Sequence, residues 1–235
     1  MDIAEKTLRL KQDFDDVYEA GKKAEYDVLW DGIQDYGNRT DYTQGFKNWK
    51  GVEAITPKYP IRAKNLSELF YQCQKLKSTP MISCANDDGK FQTCYCAFYQ
   101  CYSLTSVDFD IANSSTANSA WQYTFQACRS LQSIKKMIVM ENQVFTGTFQ
   151  NCVALENITI EGTIGQNGFD IHWSKNLTAE SIDSIVRALT TAKSGLTITL
   201  PVGAYNRHAE RYGASVTEAL WAEKRAYWSI NELAV

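Results

Sequence analysis

The stretch that decides the fold is Phe98-Tyr99-Gln100-Cys101-Tyr102-Ser103-Leu104-Thr105-Ser106-Val107, in which Phe, Cys, Leu and Val follow one another at intervals of three. The same frame recurs over residues 125–134 and 149–158, and residues 70–76 carry its first three positions. The Cys-to-Cys steps of 28, 27 and 24 residues lie in the range of leucine-rich repeats, whose turns each add one strand to a stacked core. The frame therefore predicts a solenoid over residues 66–173.

Each position of the frame has a physical role in such a stack. Phe and Cys share one face of a short helical turn, Leu ends the turn and points inward, and the aliphatic residue begins a short strand. Cys suits the interior because it is small, apolar and easily buried. The segments FYQCQKLKS, FYQCYSLTSV, FQACRSLQSI and FQNCVALENI resemble the BspA-like leucine-rich repeats, which carry an aromatic-x-x-Cys-x-x-Leu-x-x-Ile core. This resemblance covers residues 66 to about 173 and implies the same solenoid.

The other cysteines allow a second interpretation, a metal site. Cys84, Cys94, Cys96 and Cys101 are close in sequence, but zinc knuckles use Cys pairs that recur once more at a distance. We therefore interpret the frame cysteines as core residues and the rest as loop thiols, and we predict no metal and no cofactor. Seven cysteines are an odd number, which favours reduced thiols over a disulfide scaffold.

The segment before the repeats shows a seven-residue pattern that predicts a long helix over residues 1–36, followed by a loop-rich connector over residues 37–65. Four heptads would form a helix of about 50 Å, which is longer than a small solenoid can cover, so we expect self-association. The alternative is a helix folded back on its own chain, because Thr7 and Gly21 weaken the seam. The candidate oligomerisation contacts are Ile3, Leu10, Phe14, Val17, Ala24 and Val28.

The segment after the repeats, residues 174–235, predicts a cap of helices and strands. Helices are expected at 179–192, 204–211 and 217–225, and strands at 196–200 and 228–230. The predicted fold class is therefore α+β, with a long amino-terminal helix that could form a coiled coil, a short BspA-like solenoid and an α/β carboxyl-terminal cap.

Both flanks carry a second resemblance. The run VYEAGKKAEYDVLWDGIQDYGNRTDY with PKYPI downstream resembles the amino-terminal module of structural proteins from phages and prophages of Firmicutes. The segments LTAESIDSIVRALT, LTITLP and YWSI resemble the module that closes the repeats in such proteins. This resemblance implies a tail, baseplate or fibre-associated virion protein with other virion proteins as partners. It also suggests a trimer, because fibrous phage appendages are commonly threefold.

Composition excludes several functional classes. The chain has 24 Lys and Arg against 27 Asp and Glu, a net charge of −3, so nucleic acid is not an expected partner. Neither a membrane-spanning run nor a signal peptide is visible, so we expect synthesis in the host cytoplasm and no membrane association. We predict no enzymatic activity, because His172 and His208 accompany no nucleophile motif and the pair Asp15-Asp16 diverges on a helix or strand.

The candidate ligand face lies in the long inserts of the second and third repeats. There Asp87, Asp88, Trp121 and Tyr123 combine polar groups with flat rings that can hydrogen-bond and stack on a host cell-wall glycan. The alternative is that these inserts are solvated loops with Trp121 packed beneath them.

The resemblance implies a non-enzymatic virion component, and the repeats predict that it displays a platform for assembly or for host-surface recognition. The alternative is a bacterial leucine-rich-repeat adhesin or protein-interaction module outside a virion. Such a protein would normally carry an export signal or a wall anchor.

Overall fold

The structure is a computed structural model. It describes residues 7–10, 22, 27–30, 42–57, 60–115 and 119–235.

The described strands pair in parallel and form four small sheets. The strands are β1 (Thr7–Leu10), β2 (Asp27–Trp30), β3 (Ile55–Pro57), β4 (Ile61–Ala63), β5 (Ile82–Cys84), β6 (Ser106–Ala112), β7 (Ser133–Val139), β8 (Asn157–Gly162), β9 (Phe169–Asp170), β10 (Leu196–Pro201) and β11 (Trp228–Leu233). The sheet orders are β1-β2-β3, β4-β5, β6-β7-β8 and β11-β10-β9. Three helices have described bounds, and these are α1 (Ala179–Ala188), α2 (Ala204–Tyr212) and α3 (Ala214–Arg225).

The predicted fold class with its long amino-terminal helix is wrong. β1 and β2 lie inside residues 1–36 and pair in parallel, with Leu10 opposite Trp30, and β2 pairs in turn with β3, where Val28 is opposite Ile55. Two strands joined to a third cannot belong to one continuous helix. The fold of the described chain is a strand-rich parallel stack, and α1, α2 and α3 are all short.

The physical reason is that strand pairing outweighs a weak local pattern. Leu8 and Leu10 alternate at period two, as do Val28 and Trp30, and such short apolar runs fit a strand as well as a heptad. Of the six candidate oligomerisation contacts, Leu10 lies in β1 and Val28 in β2, so the helical seam that they were to share does not exist. The other four, Ile3, Phe14, Val17 and Ala24, lie outside the described residues.

The core of the stack consists of columns of equivalent residues. The Phe column is formed by Phe46, Phe70, Phe98, Phe125 and Phe149, and all five rings are buried. Neighbouring rings stack with centroids 5.2, 5.5, 5.3 and 6.0 Å apart. The frame leucines form a second buried column, so the Phe and Leu positions of the frame face the interior in every turn.

The frame cysteines form a third column with a repeated hydrogen bond. Each thiol donates to the backbone carbonyl of the Phe in the preceding turn at 3.0 Å. The donors are Cys73, Cys101, Cys128 and Cys152, and the acceptors are Phe46, Phe70, Phe98 and Phe125 in that order. A buried thiol thus ties each turn to the one before it.

An additional turn precedes the repeats that the sequence frame identified. Tyr42, Phe46 and Val52 are buried at positions equivalent to Leu66, Phe70 and Leu76, and Trp49 takes the place of the frame Cys. Residues 42–52 therefore belong to the stack, although the sequence interpretation placed them in a connector.

Left-handed residues recur at two fixed positions of every turn. The residues two before and two after each Phe have φ between 51° and 67°: Gln44, Asn48, Glu68, Gln72, Cys96, Gln100, Tyr123, Ala127, Gly147 and Asn151. From Tyr42 to Gln150, three or four amides of each turn donate to carbonyls of the next turn at 2.7–3.1 Å. Left-handed conformation costs about 1–2 kcal/mol for a residue with a Cβ, and these hydrogen bonds offset that cost.

Helix α1 closes the last edge of the β6-β7-β8 sheet. The amides of Ile158 and Ile160 in β8 donate to the hydroxyl oxygens of Ser181 and Ser184 at 3.0 and 3.2 Å. The Ser181 hydroxyl in turn donates to the carbonyl of Glu156 at 3.0 Å. Serine side chains on a helix thus replace the strand that would otherwise have to follow β8.

The remaining cap packs around α1. α1 connects β9 to β10, and α2 and α3 connect β10 to β11, so the cap consists of two successive β-α-β crossovers. The buried Lys224 ammonium donates to the Leu189 carbonyl at 2.9 Å, and the Trp228 indole donates to the Thr190 carbonyl at 2.8 Å. These two bonds satisfy carbonyls that follow α1.

Candidate functional site

The candidate site lies on the turn side of the stack, which is the surface formed by the turns around Phe46, Phe70, Phe98, Phe125 and Phe149. The residue directly after each Phe projects from equivalent positions, and these residues are Lys47, Tyr71, Tyr99, Gln126 and Gln150. Three of the residues that lie two before a Phe, Glu68, Cys96 and Tyr123, line the same surface. We call the resulting depression the tyrosine groove. It has a volume of about 430 Å³ and is lined by Glu68, Tyr71, Tyr95, Cys96, Tyr99, Tyr123, Gln126 and Gln150.

Two tyrosines of the groove are held in a fixed stack. The rings of Tyr71 and Tyr99 lie 4.8 Å apart between centroids and only 8° from parallel. The ammonium group of Lys47 lies 4.9 Å from the centroid of Tyr71 and 2.8 Å from the Glu68 carboxylate. A cation on one ring, a neighbouring ring and an ion pair together fix this wall of the groove before any ligand binds.

A glycine makes room for a third tyrosine. A Cβ placed on Gly147 would lie 2.5 Å from Cδ1 of Tyr123, so the Tyr123 ring lies directly against the backbone of the next turn. Gly147 also has a φ of 62°, which a glycine adopts without strain. Because Gly147 has no side chain, the Tyr123 ring can occupy this space.

A second depression adjoins the groove and shares Tyr95 with it. We call it the hydroxyl pocket. It has a volume of about 550 Å³ and is lined by Ser67, Gln92, Thr93, Tyr95, Ser115, Ser119 and Gln122. Its other side chains are hydroxyls and amides, and both kinds can donate and accept hydrogen bonds.

Three side chains of the tyrosine groove, Tyr71, Tyr95 and Cys96, have raised pKa values. Burial, followed by the neighbouring Tyr99, raises the pKa of Tyr71. A hydrogen bond with Cys96 raises the pKa of Tyr95, and burial raises the pKa of Cys96 to about 11. At neutral pH these two phenols and this thiol are therefore protonated and uncharged.

The candidate ligand-face residues from the sequence do not all come together. Tyr123 lines the tyrosine groove. Trp121 has no exposed surface, and its indole donates to the side-chain oxygen of Gln143 at 2.7 Å, so it is a core residue and not a ligand contact. Asp87 and Asp88 are exposed in the turn after β5, outside the linings of the groove and of the hydroxyl pocket.

The sequence interpretation also missed Tyr71, Tyr95 and Tyr99 as site residues. A signal for two of them was present, because FYQC occurs twice and puts a tyrosine directly after the Phe of successive turns. Once Phe70 and Phe98 are assigned to one column, their neighbours must also form a column.

The cysteines that were interpreted as loop thiols are mostly part of the core. Cys94 and Cys96 are buried, and Cys84 is partly exposed. Cys94 lies in a fourth core column, with Tyr42, Leu66, Trp121 and Phe145 at the equivalent positions of other turns. Within the described ranges, no group of three or more His, Cys, Asp or Glu side chains is arranged to hold a metal ion. A search of the same residues finds no helix with the length and apolar character that a membrane span requires.

The cap contains a chain of Thr, His and Asp side chains. His208 Nδ1 lies 2.7 Å from the Thr217 hydroxyl, and His208 Nε2 lies 3.1 Å from the Asp183 carboxylate. Neither His208 nor Thr217 has exposed surface, so this arrangement has no hydroxyl that a substrate could reach. Its evident effect is to hold α1, α2 and α3 together.

Comparison of the chain with protein-family models, with curated proteins and with solved structures finds no match.

Proposed function

We propose that this protein is a non-enzymatic recognition component of a phage particle, associated with its tail, baseplate or fibre, and that it binds a host-surface polymer through the tyrosine groove. The observation that carries the recognition part is the groove itself, where Tyr71 and Tyr99 form a fixed aromatic wall on a hydrogen-bonded repeat. The virion part is supported by the resemblance of both flanks to phage structural proteins. In such a particle, other virion proteins would be its neighbours.

The groove supports recognition better than catalysis. Glu68 is the one carboxylate in the described lining of the groove, and Lys47 binds it at 2.8 Å, so this lining offers no pair of free carboxylates for acid/base chemistry. Aromatic rings that are already ordered lose little conformational freedom on binding, which favours their use as contact surface.

Binding of the purified protein to cell walls of candidate Firmicutes hosts tests the recognition part. Tyr99→Ala should weaken binding at least about tenfold, because it removes one ring of the stacked pair. Tyr102→Ala is the matched control, since Tyr102 lies outside the groove lining and contacts Arg129, with 5.2 Å between the guanidinium and the ring. Equal binding by wild type and Tyr99→Ala would refute the proposal.

Mass spectrometry of purified particles tests the virion part. We expect peptides of this chain in particles that have been freed of host envelope. Recovery only from the bacterial envelope would refute the virion part and favour the adhesin alternative.

A further inference from the structure

We infer that the ligand of the tyrosine groove is a neutral saccharide chain of at least two rings that lies across Tyr95 and also fills the hydroxyl pocket. This inference rests on the proposed function and specifies its ligand class. It combines the size of the two depressions, their charge and the kind of polar group that each presents.

The size of the site favours an oligomer. Small-molecule sites typically measure about 300–1,000 Å³, and the two depressions of about 430 and 550 Å³ are each large enough for a small ligand. Because both are lined by Tyr95, they adjoin at this side chain. A chain of linked units can occupy both at once, whereas a single small molecule would fill one and leave the other to water.

The charge of the site favours a neutral ligand. In the described linings of both depressions, no Lys, Arg or His is present, and Glu68 is the one acidic side chain. Glu68 is bound by Lys47 at 2.8 Å, so the pair carries no net charge. The linings of the two depressions offer a phosphate-bearing wall polymer no cation to replace its counterions. The free-energy cost of desolvating its phosphate groups would therefore not be compensated.

The polar groups of the site fit sugar hydroxyls. Ser67, Thr93 and Ser119 offer hydroxyls, and Gln92 and Gln122 offer amides, so every one of these side chains can both donate and accept. Sugar hydroxyls have the same two-way character. The aromatic carbons of the neighbouring tyrosines supply apolar surface for the C–H groups of a pyranose ring.

Walls that have been stripped of phosphate polymers with hydrofluoric acid provide the decisive test. We expect binding to stripped walls to equal or exceed binding to untreated walls, and to change less than about twofold between about 0.05 and 0.5 M NaCl. Tyr95→Ala should weaken binding to both kinds of wall at least about tenfold, while Tyr102→Ala should not. Tyr95→Phe keeps the ring and should restore most of the binding, which separates a contact role from a folding defect.

A soluble probe tests the length of the site. Tetra-N-acetylchitotetraose, a neutral four-ring saccharide, should bind more tightly than N-acetylglucosamine, and Gln122→Ala in the hydroxyl pocket should reduce this difference. If a single sugar binds as tightly as the tetramer, or if Gln122→Ala changes neither affinity, the site does not span both depressions and the inference is overturned.

The outcomes separate this inference from the proposed function. Binding that depends on Tyr99 but is lost on stripped walls would identify an anionic polymer, and would overturn the inference while leaving the proposed function intact. Binding that is lost after protease treatment of the walls would identify a protein partner, with the same consequence. Absence of binding to any wall preparation would overturn both.

Discussion

The thiols of the frame show why a single residue type recurs in this core. Burial raises the pKa of Cys152 to about 12, and it raises the pKa of Cys101 and Cys128 well above the ordinary range. The side chain therefore remains a neutral thiol that can donate to the carbonyl beneath it. Serine could donate in the same way, but its smaller hydroxyl is more costly to desolvate and would leave space beside the Phe rings.

Two substitutions of Cys128 should separate the effect of a buried charge on stability from the effect of lost side-chain volume. Cys128→Asp should lower the free energy of unfolding by about 3–5 kcal/mol, because it buries a carboxyl among the apolar side chains of the core. Cys128→Ser should lower it by roughly 1–2 kcal/mol, since the hydrogen bond is kept and packing is lost. Urea titration measures both values. The control is Cys84→Ser at a partly exposed position, with an expected change below about 0.5 kcal/mol. Equal values for the three variants would contradict a buried Cys column.

Some core residues could be predicted from the sequence alone, and others could not. Phe98, Cys101 and Leu104 were predicted to be buried because they are apolar and recur at a repeated spacing. All three are buried in the structure. Trp121 was assigned to the surface as well as to the core because the frame was not extended four residues before each Phe. Trp49 was missed because a large aromatic residue stands at the position that Cys occupies in the later turns.

At the scale of elements, the helix and strands of the cap were easier to predict than the amino-terminal strands. α1 has a capping Thr178, whose hydroxyl accepts from the Ser181 amide, and an apolar face that local sequence reveals. β1 and β2 are four residues long and gain their stability from pairing with residues about twenty or more positions away. No local pattern contains that partner, so the seven-residue spacing predicted the wrong element.

Loss of one serine of α1 should reopen the edge of β8. Ser181→Ala leaves the Ile158 amide without its acceptor and should cost about 1–3 kcal/mol of unfolding free energy. Ser215→Ala, at an exposed position of α3, should change it by less than about 0.5 kcal/mol. Urea unfolding gives these values, and amide hydrogen exchange should be faster at Ile158 in the first variant only. Unchanged protection of Ile158 would show that the helix does not close this edge.

The same helix should make the stability of the cap depend on pH. Burial opposes the charge of Asp183, but hydrogen bonds from Arg187 and His208 outweigh it and lower its pKa. A carboxyl with a depressed folded-state pKa stabilises the protein above its unfolded-state pKa of about 3.9, and this contribution is lost as the pH falls through the folded-state value. The melting temperature of wild type should therefore fall more steeply below about pH 4 than that of Asp183→Asn. Asp87→Asn, in an exposed turn, should retain the wild-type slope, and a wild-type slope in Asp183→Asn would contradict the assignment.

At the scale of the whole molecule, one core runs from the first described turn to the cap. Buried side chains are continuous from Tyr42 through the Phe column to Ile198 and Trp228. Because each turn is covered only by its neighbours, no internal turn can unfold without exposing two others.

We therefore expect a single unfolding transition for the stack and the cap. Ile198→Ala in β10 should lower the melting temperature of the entire protein, since a buried Ile→Ala substitution costs about 2–5 kcal/mol. Tryptophan fluorescence and far-ultraviolet circular dichroism should report the same midpoint before and after the substitution. Two separated midpoints in the variant would mean that cap and stack are independent units.

The left-handed residues that recur in every turn align the peptide dipoles on the turn side of the stack. In every turn pair from Tyr42 to Gln150, the bonded amides of the turn side point toward the carboxyl-terminal cap and the bonded carbonyls point the opposite way. Peptide dipoles that are aligned in this manner add up, as they do along an α-helix. The turn side therefore carries a partial positive charge at its cap end and a partial negative charge at its amino-terminal end. Each additional turn would lengthen this dipole, so the two ends of the stack would favour ligands of opposite charge.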